Sequence, residues 1–243
     1  MGNTGNFIDW SARYFGAYCI EELDLFADLC GKDAWVIDVG ANVGHHSLFY
    51  ALYGAGVFSF EPNPAAIGLL RQKAAANSSL LIHPIQKGLS DREDCLALSI
   101  PDHANLGTAS LEKAVGSRSV MVEVCCGDHI EAIRHIKRID WIKIDVEGHE
   151  LSVLIGLRQV ISRHRPPVFF EWNGGTNFAE ITSIFPEGYL FYRLECQVIV
   201  TMIFSRPGYQ LHPLPAGAEP APCNVLACPA RQLPRHLIYQ QLP

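Results

Sequence analysis

The chain has 243 residues, enough for one α/β domain with a full core, and its 49% hydrophobic and 18% charged residues exclude a disordered or low-complexity protein. A net charge of −6, with its densest basic stretch confined to 158–165, argues against nucleic acid as the partner, because phosphate binding needs a concentrated Lys/Arg face. No apolar run is long enough to span a bilayer and residues 1–10 lack an apolar signal-peptide stretch, so a cytoplasmic protein without a membrane span is expected.

In chain order, the spacing of Ile20, Leu23, Leu25, Phe26 and Leu29 predicts a helix over 17–30 that stops at Gly31. Residues 35–39 are a short continuous apolar run, as expected of a strand buried on both faces. The glycine-containing turn 40–44 leads into a helix ending near Tyr53, a strand at 57–60, and a helix over 64–77 with Pro64 in its first turn. A strand at 80–85 follows. Between 92 and 126 the pattern becomes β-like, with segments at 96–100 and 120–124 around a loop, and reads as an insertion over the sheet edge or the site. The alternation then resumes: strand 139–144, helix 148–163, strand 167–170, short helix 177–185, and closing strands at 189–194, 198–204 and 224–228. Five prolines in 207–222 predict a rigid loop. Strands alternating with helices predict a doubly wound parallel sheet. We expect a single domain over 1–243, with an N-terminal helical segment to about 31, a core over about 32–230 and a short C-terminal tail. The eight cysteines form no C-x-x-C pair and read as buried reduced thiols, not as a zinc site.

Ligands of an open α/β sheet bind beyond the carboxyl ends of its strands. Asp38, Glu61, Asp145 and Glu171 all fall at or just after such ends, so the rim faces something cationic, hydroxyl-rich or metallic. Gly40 and Gly44 bracket a tight turn where a cofactor can approach the backbone. Nicotinamide enzymes use a similar turn, but Asp38 before it suits a ligand with an ammonium group better than a pyrophosphate. Glu61 lies 17 residues after Gly44, where a carboxylate can accept from both hydroxyls of a ribose. The loop Gly88-Leu-Ser90-Asp91 is placed to meet an adenine. Asp145, Glu147, His149 and Glu150 sit where a strand gives way to a helix. For Glu150 plain capping of that helix is the favoured role, His45 and His46 read as surface or packing residues, and Lys143 reads as a salt-bridged side chain in a buried strand.

The stretches Val36-Ile-Asp-Val-Gly-Ala-Asn-Val-Gly44, Phe60-Glu-Pro-Asn-Pro64, Gly88-Leu-Ser-Asp91, Asn105-Leu-Gly-Thr-Ala-Ser-Leu111 and Trp141-Ile-Lys-Ile-Asp-Val-Glu-Gly-His-Glu150 together resemble the FkbM family of methyltransferases. His149 stands where that family often has a small residue. The resemblance runs from about residue 18 to 228. It implies a Rossmann-like class I methyltransferase sandwich: a mostly parallel, seven-stranded sheet with helices on both faces. It also implies S-adenosylmethionine as cofactor and O-methylation of a hydroxyl on a small molecule or sugar, N-methylation remaining open. The expected cofactor-binding residues are Asp38, Gly40, Ala41, Asn42, Gly44, Glu61, Pro62, Ser90, Asp91 and Asp145. The expected catalytic residues are Asp145, Glu147, His149 and Glu171; no metal ligand is assigned, a divalent ion held by these carboxylates with Glu171 being the less favoured alternative. A non-catalytic cofactor-binding protein of the same fold is the rival reading. A nicotinamide oxidoreductase is a weaker one, since no Tyr-x-x-x-Lys pair follows the turn. The loop 105–111 is expected to belong to the acceptor pocket or its lid.

Overall fold

The computed structural model describes residues 18–101, 109–174, 177–200, 205–215 and 217–233. Helix α1 (Ile20–Leu29) leads to β1 (Trp35–Val39), α2 (His45–Tyr53), β2 (Gly56–Phe60), α3 (Pro64–Ala76) and β3 (Ile82–Ile85). Asn63 starts α3 as predicted, its side chain accepting from Ala65 N at 3.0 Å ahead of a proline in the first turn. Strands β4 (Gly88–Ser90), β5 (Asp94–Ile100) and β6 (Arg118–Cys126) form a separate sheet in the order β4-β6-β5; β5 and β6 are the β-rich insertion, and the loop read at 88–91 is corrected to strand over 88–90, paired with β6. The second half runs α4 (Glu131–His135), β7 (Trp141–Ile144), α5 (Glu150–Gly156), α6 (Arg158–His164), β8 (Val168–Trp172) and α7 (Phe178–Ile184). It closes with β9 (Tyr189–Val200), β10 (Ser205–Leu214) and β11 (Cys223–Pro229).

The main sheet has the order β10-β9-β11-β8-β7-β1-β2-β3, with parallel pairing from β3 to β8 and antiparallel pairing beyond. It has eight strands where seven were expected. The extra one is β10, paired antiparallel with β9 from Ser205↔Val200 to Leu214↔Phe191. The rigid loop predicted over 207–222 is therefore corrected: it is strand as far as Leu214. An edge strand leaves one side of its backbone unpartnered, so Pro207 and Pro213 are tolerated there. The strand expected at 198–204 is the end of β9, and 201–204 lie outside the described residues.

The single helix expected over 148–163 is also corrected, to α5 and α6 with a break at Leu157. The cause is remote in sequence. Asp128 offers one carboxylate oxygen to Gln159 N and the other to Val160 N, each at 2.9 Å, and so caps a second helix start. At Gly156 a Cβ would sit 2.0 Å from the Ser90 carbonyl, which packs the end of α5 against β4.

Two apolar clusters fill the two faces of the sheet, assigned by the period of two along each strand. Ile37, Ile142, Phe170 and Val225 belong to one; Val36, Trp141, Phe169 and Leu226 belong to the other, with Leu25, Phe26 and Tyr50 of α1 and α2. On that second face the alternation next brings up Asp38, Lys143, Glu171 and Asn224. The apolar face thus becomes polar at the carboxyl ends of the parallel strands, where antiparallel β11 begins. Among the described residues no helix is long and apolar enough to cross a membrane.

Candidate active site

A cavity of about 310 Å³ opens at the carboxyl ends of β1, β2, β7 and β8, within the size range of ligand pockets. Strand order reverses between β1 and β7, so the cavity occupies the switch point of the sheet.

Toward β1 and β2, the wall is backbone. Gly40 has φ +75°, and a Cβ there would lie 1.8 Å from the Asp145 carbonyl; Gly44 has φ +83°, and a Cβ would meet Leu70 at 2.8 Å. These glycines are required first by packing within the protein, and the cavity is shaped by the turn they permit. Asn42 is also left-handed, at φ +50°. Glu61 is held rigidly: Asn42 N and Asn63 N each donate to one of its carboxylate oxygens at 2.8 Å. Burial pushes the Glu61 carboxyl up to about 7 despite those two N–H groups. Ala41, Pro62, Gly88 and Leu89 complete this part, with Leu98 contributed by the insertion.

Asp38 does not line the cavity. It is fully buried beneath it, with Oδ2 accepting from Ser47 Oγ at 2.5 Å and Oδ1 lacking a partner among the described residues. Its charge acts on Lys143, its register partner on β7. Ser90 and Asp91 also stay off the cavity surface. Ser90 Oγ lies 3.0 Å from His149 Nε2, and Asp91 turns outward to pair with exposed Arg92 at 3.2 Å. The chain leaves β4 at Ser90, so only Gly88 and Leu89 face inward.

Toward β7 and β8, carboxylates converge. One oxygen each from Asp145, Glu147 and Glu171 lies within 4.8 Å of the others. Lys143, 3% exposed, donates to Asp145 Oδ2 at 3.1 Å; burial works against its charge, but Asp145, Asp38 and Glu22 outweigh it and hold the ammonium. Glu147 is pushed up to about 7 by burial and then by Glu171, Asp145 and Glu150. Burial and then Asp145 raise Glu171. Glu147 has φ +53° and Gly148 φ +107°, so the chain makes a strained turn before α5. Glu150 accepts from Gly148 N at 3.0 Å, the capping role expected of it.

The segment after the insertion loop is strapped to this turn. Ser110 Oγ donates to the Glu147 carbonyl at 2.9 Å and accepts from Glu112 N and Lys113 N. His149 is clamped, with Nδ1 2.6 Å from Glu112 Oε1 and Nε2 on Ser90. Of the loop 105–111, residues 105–108 lie outside the described residues, while Ala109 and Leu111 line the cavity.

The profile of the methyltransferase FkbM domain matches residues 38–194. The chain belongs to this family. As in the rest of the FkbM family, its activity is methyl transfer and its cofactor S-adenosylmethionine. The hexuronic acid methyltransferase AglP of Haloferax volcanii is 29% identical over 192 residues, covering 74% of this chain and 78% of that protein. Methyltransferase sdnD of Sordaria araneosa is 28% identical, covering 55% of this chain and 66% of its own length. A solved methyltransferase FkbM from Methylobacillus flagellatus has a TM-score of 0.49 and 16% identity, covering 81% of this chain and 44% of that protein.

The residues present fit this cofactor. Both Glu61 oxygens are fixed by one bond each and retain accepting capacity toward the cavity. Asn42 Oδ1 is buried without a partner among the described residues, and Phe60, Pro62, Leu89 and Leu98 supply apolar walls for a flat ring. Sequence reasoning missed Glu22, Glu112 and the use of His46. No local pattern in the sequence marks Glu22 or Glu112. Lys143 and Asn224 did carry a signal, as lone polar residues inside apolar strands.

Proposed function

We propose that this methyltransferase acts on a hydroxyl of a small molecule or sugar, as a cytoplasmic single-domain enzyme that does not use nucleic acid. The observation that carries the reading is the convergence of Asp145, Glu147 and Glu171 in the same cavity as the Glu61 half. The low basic content and free thiols at all eight cysteines support the choice of partner and compartment.

S-adenosylmethionine, when bound, supplies an already activated methyl group on a sulfonium. Glu61, with the turn 40–44, binds and orients the donor end. Alignment of the acceptor supplies up to ~7–11 kcal/mol, whereas proton removal adds about 10²–10⁴-fold. Glu147, raised to about 7, is poised to take the hydroxyl proton at its carboxylate. Asp145 is engaged by Lys143 and orients the acceptor. His149, with both ring nitrogens held by Glu112 and Ser90, serves as a strut under the Glu147 turn.

The test is transfer from methyl-labelled S-adenosylmethionine to a panel of polyols, phenols and amines, read by mass shift. Glu147→Gln should lower kcat by about 10²-fold while leaving S-adenosylhomocysteine affinity unchanged. Normal kcat with a lowered melting temperature would reduce Glu147 to a helix-start residue. Labelling of amines alone would replace the hydroxyl reading with N-methylation.

A further inference from the structure

We propose that the polar end of the sheet face covered by α1 and α2 is an acceptor bay built for an uncharged polyhydroxyl compound, and that it rejects acceptors carrying a carboxylate. The inference rests on the hydroxyl reading above and adds the substrate class that the bay selects. The period of two along β7, β8 and β11 puts Lys143, Glu171 and Asn224 on one face, with Glu171 and Asn224 directly in register. Helices α1 and α2 add Glu22 and His46 from above. Glu22 Oε2 lies 3.2 Å from His46 Nε2, and Glu22 Oε1 accepts from Asn224 Nδ2 at 3.3 Å. All five line the same cavity as Asp145.

Lys143 is an ammonium with three donors, buried to 3% exposure, and among the described residues it spends one of them, on Asp145. Its remaining N–H groups and the neighbouring carboxylates offer donors and acceptors side by side. A hydroxyl, which both donates and accepts, satisfies such a mixed set, and a vicinal diol satisfies two members at once. A carboxylate only accepts. It would meet one already paired ammonium and the charges of Glu22, Asp145 and Glu171; a proton on His46 would still leave fewer cations than carboxylates. The bay therefore opposes a uronic acid in the place where a neutral sugar fits, which separates this chain from a relative whose name specifies a hexuronic acid.

The probes are methyl α-glucopyranoside and methyl α-glucuronide, which differ in a CH₂OH against a carboxylate, titrated by NMR into protein saturated with S-adenosylhomocysteine. The glucoside should bind at least about tenfold more tightly, the scale of one unfavourable charge contact at partial screening. Glu22→Gln should narrow that ratio and Asn224→Asp, which adds a carboxylate, should widen it, each variant being checked for folding by circular dichroism. Binding of neither probe, equal or tighter binding of the glucuronide, or a ratio unmoved by every variant that folds overturns the proposal. A glucoside that binds in the bay yet gains no methyl group from S-adenosylmethionine would instead sink the hydroxyl-transfer reading and leave the bay standing.

Discussion

Around β1 and β2 the cavity is made by backbone: Gly40 and Gly44 at positive φ, Asn42 N and Asn63 N fixing Glu61, all within a stretch of 24 positions. Under α1 and α2 it is made by side chains from five elements, and Asn224 reaches Glu22 across 202 positions. The first half rests on main-chain geometry around one fixed carboxylate, Glu61, which suits a ligand that never changes. The second half changes with single side chains, so acceptor choice can vary on an unchanged scaffold. Between them lies the strained turn at Glu147, held from outside by Ser110 and Glu112.

The largest effect expected from breaking this division is at Glu61. Glu61→Ala should weaken S-adenosylhomocysteine binding by about tenfold or more, from one or two charge-assisted hydrogen bonds of ~1.5–3 kcal/mol each. Calorimetry on a folded variant with unchanged affinity would take Glu61 out of the donor half and dissolve the contrast.

A smaller effect is expected at the junction. Ser110→Ala removes the donor to the Glu147 carbonyl, so the turn loses its strap while the Glu61 half keeps every contact. Turnover should fall about tenfold, the scale of one lost hydrogen bond, with donor KM unchanged, and Ser110→Thr should restore it. A matching loss of donor affinity would show that the halves are mechanically one.

The smallest effect is on stability against pH. Glu61 and Glu147 are both raised from 4.5 to about 7, so between those values the folded chain binds more protons than the unfolded one. Stability is therefore greatest below about 4.5 on their account and is lost as pH rises to about 7. Melting of the ligand-free protein should shift downward by a few degrees over that window. Glu61→Gln and Glu147→Gln should each flatten part of the slope, apportioning it between the halves. A slope left unchanged by both substitutions would show that other groups carry it.

The donor half was legible because its determinants are contiguous. Asp38, the glycines and Glu61 occupy strand ends and the turns after them, where the apolar run and the residue types already state the geometry. Even there three readings needed correction by packing: the glycines answer first to Asp145 and Leu70, Asp38 supports from beneath without reaching the cavity, and Ser90 and Asp91 turn to His149 and Arg92 instead of the cavity. Asp145, Glu147 and Glu171 were legible as rim acids, and the structure brings them together. His149 could be read as a base from its position, but its clamp between Ser90 and Glu112 joins three separate segments.

By itself the sequence determined the doubly wound class, the strands of the main sheet in chain order through β8 and the β-rich insertion, and it marked the turn 40–44 and Glu61, which line the cavity. These follow from local periodicity and from side chains adjacent to the turns they shape. Only the tertiary structure decided the eighth strand, the break between α5 and α6, and the bay of Glu22, His46, Lys143 and Asn224. The eighth strand pairs with its chain neighbour β9, and its prolines hid it; the other two depend on partners far away in the chain, Asp128 to start a helix and two helices folding over a sheet face to bring Glu22 and His46 to Lys143 and Asn224. Pairings of that kind leave no period and no motif in the residues that make them.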